Sequence, residues 1–206
     1  MTTTWQIIPG LTPYPHALKL MESHVQSMIS QNANEKIILL EHEDVYTSGT
    51  GATSDDLIAA NNIPVFDTGR GGKFTYHGPG QRVIYPMLNL NHRTKDLKKY
   101  IADLEKWLIA TLHDFDIDAF IAKDRVGIWV SNNGIEEKIG AIGVRVKKWI
   151  TYHGIAVNIS TDLEKFSGIV PCGLKDFGVT SMKKMGKCVT LETFNTALQK
   201  RFYDIF

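Results

Sequence analysis

The sequence predicts an α/β fold in which a mixed, largely antiparallel sheet is flanked by helices. Three segments carry apolar residues at helical spacing, seven shorter segments have the composition of strands, and the last three of these follow one another with only short breaks. Strands joined by short connections pair antiparallel, whereas a doubly wound nucleotide-binding fold needs a crossover between parallel strands. No Pro/Ser/Gly-rich linker or long like-charge block divides the chain. The sequence therefore predicts one domain over residues 1–206.

Each predicted helix has a start signal or an apolar stripe. Thr12 followed by Pro13 starts the first helix, which extends to about Ser30. The second runs from Thr94 to Asp114, and the third begins at Thr190. The expected buried faces are Leu18, Met21, Val25 and Met28 in the first helix, Leu97, Ile101, Leu104, Leu108 and Leu112 in the second, and Leu191, Phe194, Leu198 and Phe202 in the third.

The predicted strands lie between these helices. They are Lys36 to His42, Pro64 to Asp67, Phe74 to His77, Arg82 to Leu88, Arg125 to Ser131, Lys138 to Val146 and Trp149 to Ile159. We expect the last three to be antiparallel neighbours in one sheet.

Composition excludes several classes of protein. The chain is 43% apolar and 22% charged, close to the globular average, which argues against disorder and against a disulfide scaffold. A net charge of +1 gives no reason to expect binding to nucleic acid or to a membrane surface. Because the sequence begins without a signal peptide and contains no apolar run long enough to span a bilayer, we expect a cytoplasmic protein.

The segment from Gly69 to Gln81 is rich in glycine, with five glycines in 13 residues. Such a segment suits a loop whose backbone N–H groups line a ligand, or a pair of tight turns around one strand. Arg70 and Lys73 within it could meet a phosphate or carboxylate, or be solvated. It matches no dinucleotide or P-loop signature, and the two cysteines and scattered histidines have no zinc spacing, so we expect no metal.

Two further residues are candidates for chemistry. Lys138 lies between a polar turn and an apolar strand, where a lysine is most often solvated; the alternative is a partly buried amine that acts as a base. Cys172 lies between Pro171 and Gly173, which favours an accessible thiol, although composition alone leaves it inert as often as reactive. Cys188 has the surroundings of an ordinary small apolar residue.

Several of these strings, in the same order, resemble the lipoyl(octanoyl) transferases, which share a fold with the catalytic domains of lipoate and biotin protein ligases. The resemblance covers about residues 40 to 182. The strings are Leu40-Glu41-His42, Val45-Tyr46-Thr47-Ser48-Gly49, Gly71-Gly72, Thr75-Tyr76-His77-Gly78-Pro79-Gly80-Gln81, Tyr85-Pro86, Lys138 to Gly143, His153-Gly154-Ile155-Ala156-Val157-Asn158, Ile169-Val170-Pro171-Cys172-Gly173-Leu174 and Val179-Thr180-Ser181.

The resemblance implies a cysteine/lysine pair that carries out two acyl transfers. Cys172 would attack the thioester of octanoyl-acyl carrier protein, and Lys138 would act as the general base that takes the thiol proton. The acceptor would be a lysine of the apo lipoyl domain of a 2-oxoacid dehydrogenase subunit or of the glycine cleavage H protein. The implied enzyme is a monomer without cofactor. Its implied acyl-binding residues are Arg70, Gly71, Gly72, Lys73, Phe74, Thr75, Tyr76, His77, Ala141, Ile142, Gly143, Gly154, Ile155 and Ala156.

Two alternatives remain open from the sequence. An ATP-dependent lipoate ligase has a related fold and needs no cysteine, and a non-catalytic binding module would keep Cys172 and Lys138 only as remnants. Two basic clusters could dock an acidic carrier protein or could be solvated charges; they are Arg145, Lys147 and Lys148, and Lys183, Lys184 and Lys187.

Overall fold

A computed structural model of the chain describes residues 3–132, 134–170 and 177–206. Within these residues the strands form an eight-stranded main sheet and a three-stranded small sheet. Three α-helices pack against the main sheet. The predicted fold class, a mixed and mostly antiparallel sheet flanked by helices, is confirmed.

The strands are β1 (Thr4–Thr12), β2 (Lys36–His42), β3 (Val45–Ser48), β4 (Val65–Asp67), β5 (Thr75–His77), β6 (Gln81–Met87), β7 (Ala119–Ala122), β8 (Arg125–Asn132), β9 (Ile135–Lys147), β10 (Ile150–Asn158) and β11 (Gly178–Val179). The helices are α1 (Tyr14–Gln31), α2 (Leu97–His113) and α3 (Leu191–Ile205).

The main sheet has the strand order β1-β2-β6-β10-β9-β8-β7, and the short strand β11 pairs with β9. Only β1 with β2 and β11 with β9 are parallel pairs among the described strands of this sheet. The prediction that the last three long strands are antiparallel neighbours is confirmed, because β9 lies between β8 and β10. The small sheet has the order β4-β3-β5.

The helices cover the two faces of the main sheet. Helix α1 packs on one face, and α2 and α3 share a larger apolar core on the other. Helix α2 begins at Leu97 rather than at Thr94, because the carboxylate of Asp96 caps it by accepting hydrogen bonds from the next amides. Leu97 is consequently exposed, and the buried stripe includes Tyr100 and Trp107 instead. No described helix is both long and apolar enough to cross a membrane.

Four strands were not predicted from the sequence: β1, β3, β7 and β11. Strand β1 contains Pro9-Gly10, which is typical of a loop. It lies at the edge of the main sheet, and its register with β2 is interrupted between Ile7 and Leu11, where proline and glycine are tolerated. The other three strands have two to four residues, too few to show a period.

A buried ion pair joins the start of β2 to the segment before α2. Glu35 is 1% exposed and accepts hydrogen bonds from the guanidinium of Arg93, the amide of Asn89 and the hydroxyl of Thr3. Burial by itself would raise the pKa of Glu35, but these hydrogen bonds lower it below its usual value. The folded state therefore favours the charged carboxylate.

Trp107 joins helix α2 to helix α3 through packing and one hydrogen bond. Its ring is fully buried, and its Nε1 donates a hydrogen bond of 2.8 Å to the Leu198 carbonyl. We expect Trp107→Ala to lower the free energy of unfolding by about 3–5 kcal/mol, because it leaves a cavity and an unpaired carbonyl. Urea unfolding measures this loss. Trp149→Ala is the control, since Trp149 is 38% exposed and its loss should cost about 0.5 kcal/mol or less. Equal losses in the two variants would contradict the prediction.

Glu35 predicts a pH-dependent stability. Because the folded state binds this proton less tightly than the unfolded state, the stabilisation is complete above an unfolded pKa of about 4.3 and is lost as the pH falls below it. Glu35→Gln should lower the free energy of unfolding by about 3 kcal/mol at pH 7. Urea unfolding between pH 7 and pH 3 should show that the difference in free energy of unfolding between wild type and Glu35→Gln becomes smaller as the pH falls. Glu164→Gln, which changes an exposed residue, is the control and should have the wild-type free energy of unfolding at every pH. If the difference in free energy of unfolding between wild type and Glu35→Gln does not change with pH, the prediction is wrong.

Candidate active site

A cleft lies between the small sheet and the face of the main sheet that carries α1. Three strands of the main sheet, β6, β9 and β10, form one wall, and β5 with the glycine-rich segment before it forms the other. The lining residues are Tyr14, Arg70, Gly72, Lys73, Phe74, Thr75, His77, Val83, Tyr85, Ala141, Ile142, Gly143, His153, Gly154, Ile155 and Ala156.

All of the predicted acyl-binding residues line this cleft except Gly71 and Tyr76. The amide of Gly71 donates a hydrogen bond to the Val144 carbonyl and so ties the glycine-rich segment to β9. The Tyr76 side chain lies in the core of the small sheet, where its hydroxyl donates to Asp44 at 2.6 Å. The three predicted segments therefore meet at one site.

Small residues form the floor of the cleft. Ala141 on β9 pairs with Ala156 on β10, and two residues further along Gly143 pairs with Gly154. A Cβ atom on Gly154 would lie 2.3 Å from the Ile84 carbonyl oxygen, and one on Gly143 would lie 2.9 Å from that of Gly71. Glycine is required at both positions because neighbouring backbone approaches so closely. The small side chains of Ala141 and Ala156 line the cleft on this face of the two strands.

The guanidinium of Arg70 is buried under the glycine-rich segment. It donates to the carbonyl and the hydroxyl of Thr47 at 2.7 and 2.8 Å, and to the Gly71 carbonyl at 2.9 Å. It therefore braces the loop and is not a solvated charge. Lys73 is more exposed and pairs with Asp56 at 3.3 Å.

The neutral side chain of His42 forms a hydrogen bond with Tyr85, one of the residues that line the cleft. His42 Nδ1 donates to the Thr12 carbonyl at 2.7 Å, so its Nε2 accepts the hydrogen bond from the Tyr85 hydroxyl, also 2.7 Å long. Burial lowers the pKa of His42 to about 4. The imidazole is thus uncharged at neutral pH and holds Tyr85 in place.

His153 lies beside Tyr85 in a strained backbone conformation. Its φ of 55° is in the left-handed region, although β10 stays paired with β9 through His153 opposite Val144, and the described pairing of β10 with β6 ends at Ile155 opposite Ile84. Burial lowers the pKa of His153 to about 3, and its Nε2 has no hydrogen-bond partner among the described residues. An orphaned buried nitrogen at non-glycine positive φ is typical of functional sites.

The sequence interpretation did not assign Tyr14, Val83, Tyr85 and His153 to the cleft. One available signal was the repeated tetrapeptide, Thr75 to Gly78 and Thr151 to Gly154, since the histidine of each copy lines the cleft. Tyr14 and Val83 carry no such signal, because an aromatic or aliphatic side chain has the same appearance in a core as in a pocket.

Lys138 lies in an adjoining pocket of about 290 Å³ that shares Thr75, Ala141 and Ala156 with the cleft. We call it the Lys138 pocket. The lysine is 6% exposed, and its Nζ donates to the Val126 carbonyl at 2.8 Å and lies 5.5 Å from the centre of the Trp129 ring. The structure therefore shows Lys138 as a buried amine and not as the solvated lysine that is more frequent at such positions.

A β-bulge in β9 places Lys138 on the face of the sheet that lines this pocket. Ile128 of β8 pairs with Gly140, but the next residue, Trp129, pairs with Lys138, so Ile139 is an extra residue in β9. A Cβ on Gly140 would face Leu108 of α2, at 3.0 Å. In a regular strand Lys138 would lie on that same face. The extra residue brings it to the opposite face.

A hydrogen-bonded chain of side chains connects the cleft to the strand beside Lys138. His77 Nδ1 donates to Gln81 Oε1 at 2.7 Å, the Gln81 amide donates to Asn158 Oδ1 at 3.0 Å, and the Asn158 amide donates to the Thr180 carbonyl at 3.0 Å. The amide of Thr180 then donates to the carbonyl of Lys138. Burial lowers the pKa of His77 far below its usual value, so the chain contains no charged imidazole.

The proposed nucleophile, Cys172, lies outside the described residues. Phe166 before it and Val179 after it in sequence both line the Lys138 pocket. Cys188, the other cysteine, is exposed. Within residues 3–132, 134–170 and 177–206, no three His, Cys, Asp or Glu side chains are grouped to hold a metal ion.

Known proteins are similar to this chain in sequence and in fold. The chain matches the lipoyl protein ligase A/B catalytic domain family over residues 13–203. It is 55% identical over 202 residues to an octanoyltransferase of Rickettsia peacockii (strain Rustic), with 97% of each chain covered. It is 51% identical over 205 residues to an octanoyltransferase of Wolbachia pipientis subsp. Culex pipiens (strain wPip), covering 99% of this chain and 100% of that one.

The fold is similar to that of a T. acidophilum protein described as a lipoate protein ligase and solved with bound lipoic acid. The TM-score is 0.78 at 17% identity, with 100% of this chain and 86% of that chain covered. The sequence matches and this fold confirm the resemblance that the motifs indicated. The chain belongs to the lipoyl protein ligase A/B catalytic domain family and is an acyltransferase.

Proposed function

We propose that the protein transfers an octanoyl group from octanoyl-acyl carrier protein to a lysine of an apo lipoyl domain, through a thioester on Cys172. The relatives named octanoyltransferases support the transferred group. The observation that carries the mechanism is the buried amine of Lys138 in a pocket that shares Thr75, Ala141 and Ala156 with the neighbouring cleft. Lipoic acid, bound by the protein of similar fold, is itself an eight-carbon acid and supports an acyl chain of this size.

In the first transfer, Cys172 gives up its proton to Lys138 and attacks the carbonyl carbon of the carrier thioester. A bond forms between the cysteine sulfur and the acyl carbon, and the bond to the carrier's sulfur breaks. The carrier leaves as a thiol after taking the proton back from Lys138. Because a thioester is already activated, the step requires neither nucleotide nor metal.

In the second transfer, the acceptor lysine attacks the Cys172 thioester as a neutral amine. The new bond is an amide between the acceptor nitrogen and the acyl carbon, and the bond to the cysteine sulfur breaks. Lys138 receives the proton that the amine releases and returns it to the thiolate. The enzyme is then back in its starting state.

The buried position of Lys138 supports its part in the proton transfers. Its amine has apolar neighbours on the sheet, lies over the face of the Trp129 ring and donates to a backbone carbonyl. Lys138 also interacts electrostatically with Glu105, which is itself buried. Since water is largely excluded, proton transfer between the amine and a nearby thiol does not compete with bulk solvent.

The placement of basic residues supports docking of an acidic carrier beside the cleft. Arg145, Lys147 and Lys148 are exposed at the end of β9, and none of the three forms an ion pair within the described residues. The Arg145 guanidinium lies beside Gly69, at the start of the loop that lines the cleft. In the other basic cluster, Lys184 is already paired with Glu137 at 2.6 Å. The Arg145 cluster is therefore the one whose charges are all available to an acidic partner.

The two cysteines provide a direct test of the thioester. When the protein is incubated with octanoyl-acyl carrier protein and no nucleotide, intact mass spectrometry should show one octanoyl adduct. Cys172→Ser should abolish the labile adduct and lower the rate of octanoyl transfer by at least about a thousandfold, because an alcohol is a far poorer nucleophile than a thiolate. Cys188→Ser, the matched control, should load and transfer as wild type does.

Two outcomes would overturn this mechanism. Loading that depends on added ATP would indicate an adenylating ligase instead. Full transfer by Cys172→Ser would show that the acyl group passes directly from donor to acceptor.

Lys138→Met should lower the rate of Cys172 acylation by about 10²–10⁴-fold, the usual contribution of a general base. Methionine preserves the apolar stem of the lysine but leaves the Val126 carbonyl without its donor, so the thermal midpoint of unfolding should fall by a few degrees and loading is measured on the folded protein. The rate in this variant should rise steeply up to about pH 8.5, where an ordinary thiol ionises unaided. Single-turnover loading between pH 6 and pH 9 measures both effects.

Lys106→Met, which removes an exposed lysine of α2, is the control and should retain the wild-type rate and pH profile. If Lys138→Met loads at the wild-type rate at pH 7, the proposed role of Lys138 as base is wrong.

A further inference from the structure

We propose that Tyr85 closes the end of the cleft remote from Lys138 and thereby sets the length of the acyl chain that the enzyme transfers. This inference rests on the proposed function, because it takes the reacting carbonyl to lie at the Lys138 end. It adds a specificity-determining residue that contacts the methyl end of the chain.

The strands order the lining residues from one end of the cleft to the other. On β6, Gln81 lines only the Lys138 pocket, whereas Val83 and Tyr85 line only the main cleft. The two paired strands show the same order, starting from the Lys138 end. On β10 the lining residues are Asn158, Ala156 and then Gly154, and on β9 they are Lys138, Ala141 and then Gly143. Tyr85 is therefore at the far end.

The length of this path suits a medium-length acyl group. With a rise of about 3.3 Å per residue, Tyr85 lies roughly 13 Å along β6 from Gln81. Since a carbon–carbon bond is about 1.5 Å long and an extended chain zigzags, eight carbons span roughly 9 Å. An octanoyl chain that starts beside Lys138 therefore ends near the Tyr85 ring.

Tyr85 is held so that it cannot easily move aside. The side chain is buried, and its hydroxyl donates to His42, which in turn donates to the backbone of β1 at Thr12. The ring of Tyr14 packs on His42 from the other side, with ring centres 5.5 Å apart. To admit a longer chain, the ring would have to break this hydrogen-bonded series.

His153 contributes a second barrier at the same end. Its ring stands edge-on to Tyr85, with centres 6.3 Å apart, and its Nε2 is buried without a partner among the described residues. Methylenes added beyond the eighth carbon would have to displace the His153 ring as well as the Tyr85 ring. Both residues at the end of the cleft thus disfavour longer acyl groups.

The test is the chain-length preference of Tyr85→Val. Wild type and variant are given equimolar octanoyl- and decanoyl-acyl carrier protein in competition, and the loaded enzyme is weighed intact. Each newly buried methylene should favour the longer chain by about fourfold. We therefore expect the decanoyl-to-octanoyl ratio of kcat/KM to rise about tenfold or more in Tyr85→Val, with octanoyl loading itself retained.

Two controls separate the size of the ring from its hydrogen bond and from general destabilisation. Tyr85→Phe keeps the ring and should keep the wild-type preference for octanoyl within about twofold. Tyr100→Val removes a buried tyrosine from the opposite core of the sheet, so it should lower stability without changing the preference. If Tyr85→Val does not fold, Tyr85→Leu, which leaves a smaller void, is measured in its place.

A folded Tyr85 variant that loads octanoyl and discriminates against decanoyl as strongly as wild type would overturn this inference and leave the proposed function intact. Failure of the wild-type enzyme to load any acyl group would instead overturn the proposed function, and this inference with it.

Discussion

The pairing of β9 with β10 is the interaction on which both the core and the site depend. The two strands are antiparallel from Ile150 opposite Lys147 to Val157 opposite Gly140. On one face they place Ile142 against Ile155, in the core beneath α2 and α3. On the other face the same alternation brings together the small residues that line the cleft, which we assign to the acyl chain. A slip of one residue would exchange the two faces, burying the small residues and filling the cleft with isoleucine.

Two irregularities adapt this regular pair of strands to chemistry. The bulge at Ile139 turns Lys138 from the face packed on α2 to the face of the cleft. The left-handed backbone at His153 lies towards the other end, where the described pairing of β10 with β6 has already ended. Both lie where the cleft ends, one at the proposed reaction centre and one at the proposed limit for the acyl chain. Because the bulge leaves one residue out of the ladder and the positive φ strains the backbone at His153, the surrounding pairing must offset both costs.

Much of the fold could be predicted because its signals are local. The three helices carry stripes of apolar residues, and the strands β8, β9 and β10 follow one another closely enough that only antiparallel pairing is reasonable. The strands that the sequence did not predict lack such local signals. The four residues of β3 have no periodicity of their own, and β1 contains Pro9 and Gly10; both become strands only because a neighbouring strand accepts their hydrogen bonds.

The sequence by itself determined the family, the glycine-rich segment and the residue types available for chemistry, because motifs are read along the chain. It could not decide that Lys138 is buried, since that depends on one extra residue in β9 and on the side chains that β8 and β11 bring beside it. Nor could it bring Tyr85, His42 and Thr12 together, because these residues belong to three different strands. Tertiary structure alone places them in one hydrogen-bonded series, and it does so because sheet pairing joins residues far apart in the chain.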